Sequence, residues 1–222
     1  FKYEPATLQT LRNLKTQTIY FGSPKNFNDQ YDCALAPRVK LPNKVQILKF
    51  RDHAAKDRRL SAEGHSDLTK ISDDELSGLM LRIAREVVAS SIQDFLNTRG
   101  VTCFSETNES LLMWSHYANS GQGFCLEFDT SHEPFEKFRK VDYAADLPEI
   151  DMTEALLSRN FDEVLRLYCT KSKHWEYEQE WRGIHKVAGT KFTYKSSCLQ
   201  AVYFGTEAQD DLIEIVCLIL KG

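Results

Sequence analysis

At 222 residues the chain is long enough to bury a hydrophobic core, and its length predicts one domain over residues 1–222. The net charge of −4 argues against a dedicated nucleic-acid binder with a broad basic face, but it leaves room for a local basic groove. No apolar run approaches the ~20 residues of a membrane span, so the sequence predicts no membrane partner. Six cysteines without a CxxC spacing indicate reduced thiols and a cytoplasmic protein.

The first part of the chain predicts two strands, a helix between them and a loop. A short strand over residues 1–3 is followed by a helix that carries leucines at helical spacing. A second strand, rich in aromatic and β-branched residues, covers residues 18–21. Residues 26–32 then form a polar loop with two aromatic side chains, a composition that also fits an Asx-rich turn.

Residues 38–100 are predicted to be a helical insertion. A first helix covers residues 45–55, and the charged, weakly patterned residues 57–69 predict an exposed connector. Ser72 and a glutamate three residues later form a capping box for a long helix, which Gly100 ends. The apolar stripe of that helix indicates core packing.

The rest of the chain predicts a mixture of short strands and helices. In order, these are strand 101–104, helix 109–118, strand 124–128, strand 141–143, helix 153–171, strand 199–204 and a final helix after Thr206. Residues 215–220 fit either the end of that helix or a last strand. Because helices and strands do not alternate regularly, the order favours an α+β fold over a doubly wound parallel sheet.

The segment EYEQEWR, residues 176–182, is the first candidate for a functional site. Its aromatic residues favour a β conformation, which would put its three glutamates and Arg182 on one face. Neighbouring carboxylates repel each other and raise at least one pKa when partly buried, and Arg182 would offset this. Such a row suits the wall of a cleft, and it also suits a solvated edge strand with outward charges.

Trp114, His116 and Tyr117 form the second candidate, because they lie within four residues. His116 can act as an acid, a base or a hydrogen-bond donor near neutral pH. Trp114 and Tyr117 can stack on a planar base and form hydrogen bonds at their polar tips. The alternative interpretation is a group of core aromatics with a satisfied histidine.

A metal site is a weaker interpretation of the same regions. Its ligands would be histidines and acidic residues brought together by the fold: His116, His174, His185, Asp29, Asp32 and Glu180. The sequence has no HxxxH, HxH or HExxH pattern, so no metal ligand is assigned. A serine nucleophile has no GxSxG elbow, and Cys103 and Cys125 lie in apolar runs that would raise the pKa of a thiol.

Several motifs together resemble a widespread bacterial family of domains of unknown function. They are FNDQYD near the start, CFSE, MWSHYA, GFCLEFD, and W-x-YE-x-EWR near residue 180. The sequence departs from the family at Gln30 and Tyr31, where Pro and Phe are common, and at Gln122, where Lys is common. Members resemble toxin and phage-defence proteins in their setting, which is an analogy.

The order of elements also resembles the ADP-ribosyltransferase architecture, in which two small, mostly antiparallel sheets form a cleft that holds NAD. The resemblance implies that NAD is the cofactor, consumed as a substrate. It assigns Glu180, with Glu178 as the second choice, to stabilise the positive charge that develops at the glycosidic carbon. Arg182 and His116 complete the implied catalytic set. The implied NAD-binding residues are Lys2, Tyr3, Tyr20, Phe27, Asn28, Asp29, Trp114, Tyr117 and Trp175.

Three hypotheses about function stay open at this point. The first is an ADP-ribosyltransferase-like enzyme that acts on nucleic acid or protein, in the role of a toxin or a phage-defence effector. The second is a module that senses a nucleotide or a partner without catalysis, and the third is a metal-dependent hydrolase or nuclease. The site hypothesis requires that the regions around residues 28, 116 and 180 converge on a common pocket with acidic and aromatic walls.

Overall fold

A computed structural model describes residues 1–57, 61–158, 160 and 162–221. The chain divides into two compact units, and each is built from separate stretches of sequence. Unit 1 comprises Phe1–Gln30, Leu96–Tyr143 and Lys171–Gly222, and unit 2 comprises Tyr31–Phe95 and Ala144–Thr170. The fold class is α+β with several small, mostly antiparallel sheets, as the sequence predicts.

The described strands and helices are short, apart from one long helix. The strands are β1 (Lys2–Glu4), β2 (Thr18–Phe21), β3 (Arg38–Val39), β4 (Gly100–Ser105), β5 (Phe124–Phe128), β6 (Arg139–Lys140), β7 (Asp142–Ala144), β8 (Glu149–Ile150), β9 (Thr170–Ser172), β10 (Glu180–His185), β11 (Thr190–Thr193) and β12 (Leu199–Phe204). The helices are α1 (Leu8–Lys15), α2 (Lys44–Lys56), α3 (Ala62–Lys70), α4 (Asp73–Thr98), α5 (Leu111–Tyr117), α6 (Met152–Ser158), α7 (Asp162–Leu167) and α8 (Asp210–Lys221). Single turns of 3₁₀ helix cover Pro24–Asn26, Phe135–Lys137 and Ser196–Cys198, and a longer one covers Lys173–Glu178.

Strand β5 is the centre of the first sheet in unit 1. It pairs antiparallel with β1 on one side and with β12 on the other. Alternate residues of a strand face opposite sides of the sheet, and β5 accordingly contributes to two core clusters. Phe124 and Phe128 belong to the larger cluster, and Cys125 belongs to a smaller one with Tyr3 and Met113. The predicted strand therefore has both of its faces buried.

The second sheet of unit 1 has the order β4-β10-β6 and is antiparallel throughout. Arg182 of β10 lies between Cys103 of β4 and Arg139 of β6. A separate two-stranded ribbon pairs β2 with β11. Gly100, at the start of β4, lets the chain pass close to β2, because a Cβ at this position would lie 2.8 Å from the carbonyl oxygen of Phe21.

Unit 2 is mainly helical. The capping box predicted for α4 is present, because the backbone N–H of Ser72 donates to Glu75 and the N–H of Glu75 donates to the Ser72 hydroxyl. The buried stripe of α4 in this unit recurs at intervals of four residues and then three, as one helix face requires: Leu76, Met80, Ala84, Val88, Ile92 and Phe95. Strands β3 and β8 pair in parallel. Among the helices described, none combines the length and apolar character needed to cross a membrane.

Two sequence predictions for unit 2 are wrong in detail. The stretch predicted as an exposed connector contains helix α3, although residues 58–60 lie outside the described residues. The predicted helix 153–171 is two helices, α6 and α7, with residues 159 and 161 outside the described part. Between them the Asn160 carboxamide oxygen accepts a hydrogen bond from the N–H of Asp162, a local bond that competes with a continuous helix. In unit 1, residues 215–220 continue helix α8 and do not form a strand.

Candidate functional site

The segment that carries the acidic residues is not the continuous strand that the sequence suggests. The 3₁₀ helix Lys173–Glu178 ends at Gln179, which adopts left-handed backbone angles (φ 43°, ψ 52°), and β10 begins only at Glu180. Glu176 therefore lies exposed on the 3₁₀ helix, whereas Glu178 and Glu180 are buried. The predicted row of three glutamates on one strand face is wrong, because the turn at Gln179 separates the residues before it from the strand.

Glu180 and Arg182 share a face of β10, as alternate strand residues must. The Arg182 guanidinium donates two hydrogen bonds of 2.8 Å, from Nε to Oε1 and from Nη2 to Oε2 of Glu180. Arg182 is 0% exposed and Glu180 is 3% exposed. Burial by itself disfavours the charged carboxylate, but Arg182, with smaller contributions from Lys171 and Cys103, outweighs this effect, and the pKa of Glu180 is lowered to about 2.

Lys171 links the two buried glutamates. Its Nζ atom lies 2.6 Å from Oε2 of Glu178 and 3.6 Å from Oε2 of Glu180, and its side chain is 3% exposed. Burial raises the pKa of Glu178 above its usual value, and Lys171 opposes that rise. The sequence interpretation did not assign Lys171 to the site, since a lysine in a charged segment is normally exposed.

Two further groups that sequence reasoning missed support Glu180. The backbone N–H of Glu180 donates to the Tyr143 hydroxyl at 2.8 Å. The Cys103 side chain also forms a hydrogen bond with the carboxylate of Glu180. Cys103 lies opposite Arg182 in the β4–β10 register, so the pairing of these strands brings it to Glu180. Only knowledge of that register could have identified it.

Tyr117 connects Glu178 to the surface of unit 1. Its hydroxyl donates to Oε1 of Glu178 at 2.5 Å and accepts a 3.3 Å hydrogen bond from the carboxamide of Asn28. Asn28 is exposed, while Tyr117 is half-buried at the end of the predicted helix, here α5. Burial, and then the neighbouring Glu178 charge, raise the pKa of Tyr117, so it stays a neutral hydrogen-bond donor. A chain of polar contacts thus runs from the surface to a buried carboxylate.

Aromatic side chains lie beside this polar chain. The ring of the exposed His116 lies 6.3 Å from the rings of both Trp175 and Tyr177. The ammonium group of Lys171 lies 4.7 Å from the centroid of the Trp175 ring, and the guanidinium of Arg182 lies 5.9 Å from that of Phe27. Both distances are within the range of a cation–π contact. The regions around residues 28, 116 and 180 therefore lie close together, and the common pocket with acidic and aromatic walls that the site hypothesis requires stays a prediction.

Two predicted binding residues pack in the smaller core cluster of unit 1. The rings of Tyr3 and Trp114 lie 5.1 Å apart in an edge-to-face arrangement. The Tyr3 hydroxyl donates to the carbonyl of Thr107, and the Trp114 indole donates to the carbonyl of Asn108. These contacts fit the alternative interpretation of Trp114 as a core aromatic residue.

Three other predicted residues have different surroundings. The ammonium of Lys2 donates to the carbonyl of Cys103 at 3.4 Å and lies 3.5 Å from Glu4. Tyr20 is 41% exposed on β2, opposite Lys191 of β11. The half-buried Asp29 follows Asn28, and its N–H donates to the Asn28 side chain.

The part of the chain that the structure describes contains many His, Cys, Asp and Glu side chains. Among them, no group of three or more His, Cys, Asp or Glu side chains is arranged to hold a metal ion. Glu178 pairs with Lys171, and Glu180 pairs with Arg182, inside the protein.

The fold and the site together define an α+β protein with a buried ion cluster. Aromatic side chains and the carboxamide of Asn28 lie beside this cluster, towards the surface. A family model described as "Protein of unknown function (DUF2971)" matches residues 113–183, less than half of the chain. This match fits the predicted resemblance to a domain of unknown function, and its range holds MWSHYA and the W-x-YE-x-EWR segment. Searches among curated proteins and among solved structures find no match.

Proposed function

We propose that unit 1 is an NAD-utilising enzyme of the ADP-ribosyltransferase type, acting on nucleic acid or protein as a toxin or a phage-defence effector. The bond between nicotinamide and ribose C1′ would break, and a nucleophilic atom of the acceptor would bond to C1′. The products are ADP-ribosylated acceptor, nicotinamide and a proton. The observation that carries the proposal is the hydrogen-bonded chain from exposed Asn28 through Tyr117 to buried Glu178, with aromatic rings beside it.

Glu178 is the better candidate for the catalytic carboxylate than Glu180. Both oxygens of Glu180 accept hydrogen bonds from Arg182, which is fully buried. Glu178 accepts one hydrogen bond from Lys171 and one from Tyr117, and Tyr117 leads to the surface. A carboxylate fixed in advance stabilises the positive charge that develops at C1′ more than it stabilises the ground state. Glu180 and Arg182 would then hold the segment that carries Glu178.

The aromatic surface suits the nicotinamide, and the amide suits the ribose. His116, Trp175 and Tyr177 provide planar groups on which a heteroaromatic ring can stack. Asn28 is exposed and carries both a donor and an acceptor, which is what ribose hydroxyls require. Phe27 directly precedes Asn28 and is assigned to the wall of the same site.

The test is nicotinamide release from NAD by the wild-type chain and three variants. Glu178→Gln keeps the shape of the side chain and removes its charge, so turnover should fall by about 100-fold or more. Tyr117→Phe, which removes the hydrogen bond to Glu178, should lower turnover less. Glu176→Gln changes an exposed carboxylate in the same segment and should have no effect.

Melting temperatures of all three variants separate loss of chemistry from loss of fold. Normal turnover by a folded Glu178→Gln variant would contradict the role assigned to Glu178. A wild-type chain that releases no nicotinamide with any nucleic-acid or protein acceptor would contradict the enzyme proposal itself.

A binding module without catalysis is the second candidate, and the internal pairing of the buried charges favours it. Glu178 and Glu180 pair with Lys171 and Arg182 inside the protein, so these two carboxylates have counter-charges without a ligand. A thermal-shift series with NAD, ADP-ribose and nucleotides distinguishes the candidates. Stabilisation by one of these ligands without product would favour a sensor over an enzyme.

A further inference from the structure

We propose that a second site, on the other side of strand β10, binds an alkylammonium group. Glu180 and Arg182 point to one face of β10, so Trp181 between them points to the opposite face. There Trp181 lines a cavity of 390 Å³ in unit 1. This volume is in the range of small-molecule sites. The inference does not depend on NAD or on the proposed enzyme activity.

The walls of this cavity are mainly aromatic. Phe104, Phe135 and Phe138 pack edge to face with centroid separations of 5.2–5.6 Å, and Trp181 is 37% exposed beside them. Gly183, two residues after Trp181, leaves the space that the Phe138 ring occupies, because a Cβ there would lie 2.5 Å from it. Residues 180–183 of β10 thus serve both sites. Glu180 and Arg182 belong to the ion cluster on one face, and Trp181 lines the cavity on the other.

Two carboxylates give the cavity its charge preference. Glu106 and Glu136 both line it, and both are exposed. Glu106 is held in place by the Trp181 indole, which donates to its Oε1 atom at 2.7 Å. Lys140 also contacts this oxygen at 2.7 Å, but the pair is solvent-exposed, and such pairs are weak. An incoming cation can therefore use the other oxygen of Glu106 or replace Lys140.

The protein already places a cation on one of these rings. The ammonium of Lys2 lies 5.2 Å from the centroid of Phe104, within the distance of a cation–π contact. Aromatic rings together with carboxylates are the surroundings that a cation with an apolar stem prefers, because the rings cover the stem and the acids pair with the charge. A neutral alcohol could donate a hydrogen bond to a carboxylate but would lack the attraction between opposite charges, so it should bind more weakly than the ammonium.

The probe for this site is n-pentylammonium, and 1-pentanol is its neutral counterpart. Binding is followed by the NMR signal of the Trp181 indole, which Trp181→Phe identifies. A ligand of six heavy atoms is expected to bind in about the millimolar range. Binding should weaken when ionic strength rises from about 0.01 M to about 0.15 M, since the Debye length falls from about 30 Å to about 8 Å.

Paired variants test the role of the charges. The double variant Glu106→Gln/Glu136→Gln should weaken binding of pentylammonium by about tenfold or more. A control with the same change of net charge is Glu214→Gln together with Glu207→Gln, at exposed positions that do not line this cavity, and it should bind normally. All four carboxylates have solvent-accessible side chains, so these variants are expected to fold.

The source of the ammonium group is tested with Nα-acetyl-lysine amide. Tighter binding than pentylammonium indicates the lysine side chain of a protein partner, and weaker binding indicates a free amine. Either result supports the ammonium site. Equal binding of 1-pentanol, unchanged binding by the double variant, or no binding of pentylammonium at about 10 mM would overturn it.

Discussion

Arg182 forms a two-pronged ion pair with Glu180, two residues earlier on the same strand, and neither side chain is accessible to solvent. The pair is possible because strand geometry puts residues i and i+2 on one face. A buried ion pair need not stabilise a fold, but the loss of one partner leaves an uncompensated charge in the interior. This asymmetry makes the pair testable.

Arg182→Leu should lower the free energy of unfolding by about 3–5 kcal/mol, because Glu180 would lose its main counter-charge. The control is Arg139→Leu, which changes an exposed arginine directly opposite Arg182 on β6 and should cost less than about 0.5 kcal/mol. Urea unfolding measures both. The double variant Glu180→Leu/Arg182→Leu should be more stable than Arg182→Leu alone, and additive losses would contradict a coupled pair.

The pH dependence of stability should show the lowered pKa of Glu180. A carboxyl whose pKa is about 2 in the folded chain and near 4.5 when unfolded contributes stability above pH 4.5. That contribution is lost as the pH falls from 4.5 towards 2. The difference in unfolding free energy between wild type and Glu180→Gln should therefore shrink over this interval. A difference that stays constant would show that the ion pair does not hold the proton off Glu180.

Glu178 should show the opposite sign. Its pKa is raised by burial, so its contribution to stability is present below pH 4.5 and is lost as the pH rises through its folded value. Glu178→Gln has no carboxyl group to ionise at this position. Its free energy of unfolding relative to wild type should therefore increase as the pH rises above 4.5. Unfolding curves collected from pH 4 to pH 8 measure the trend. A variant that becomes less stable relative to wild type over this range would contradict a raised pKa.

Gly183→Ala should destabilise unit 1, because the new methyl group would meet the half-buried Phe138 ring. Overpacking of this kind costs about 1–3 kcal/mol. Gly78→Ala is the matched control, since a Cβ at this position in α4 meets nothing within 4 Å. Alanine also favours helix over glycine, so the control should gain about 0.5–1 kcal/mol. Equal effects in the two variants would mean that Phe138 moves aside freely.

Much of the fold follows from patterns that the sequence carries locally. The stripe of α4, the capping box at Ser72 and the alternation of Phe124 and Phe128 each depend on neighbours within a few residues. The helix that positions Tyr117 is predicted for the same reason. The strand predicted across Gln179 is wrong, because a left-handed residue that is not glycine gives no clear signal in the sequence.

The site was less accessible from sequence than the fold. Tyr117, Glu178 and Asn28 are predictable because polar and aromatic residues are concentrated in their segments, and the fold brings these segments together. Lys171 is not predicted, because its burial depends on ion pairs with Glu178 and Glu180, which lie later in the chain. The supporting contact from Cys103 depends on strand register, and the register is set by long-range pairing that no local pattern encodes.

The most direct test of the account is a crystal structure of the chain with NAD bound. The proposal expects the nicotinamide ring to stack against Trp175 or His116, with Asn28 bonded to the ribose. It expects ribose C1′ to lie about 3–3.5 Å from the Glu178 carboxylate, the separation at which reacting groups are placed. NAD bound on another part of the chain, with Glu178 still covered, would contradict the proposed reaction centre.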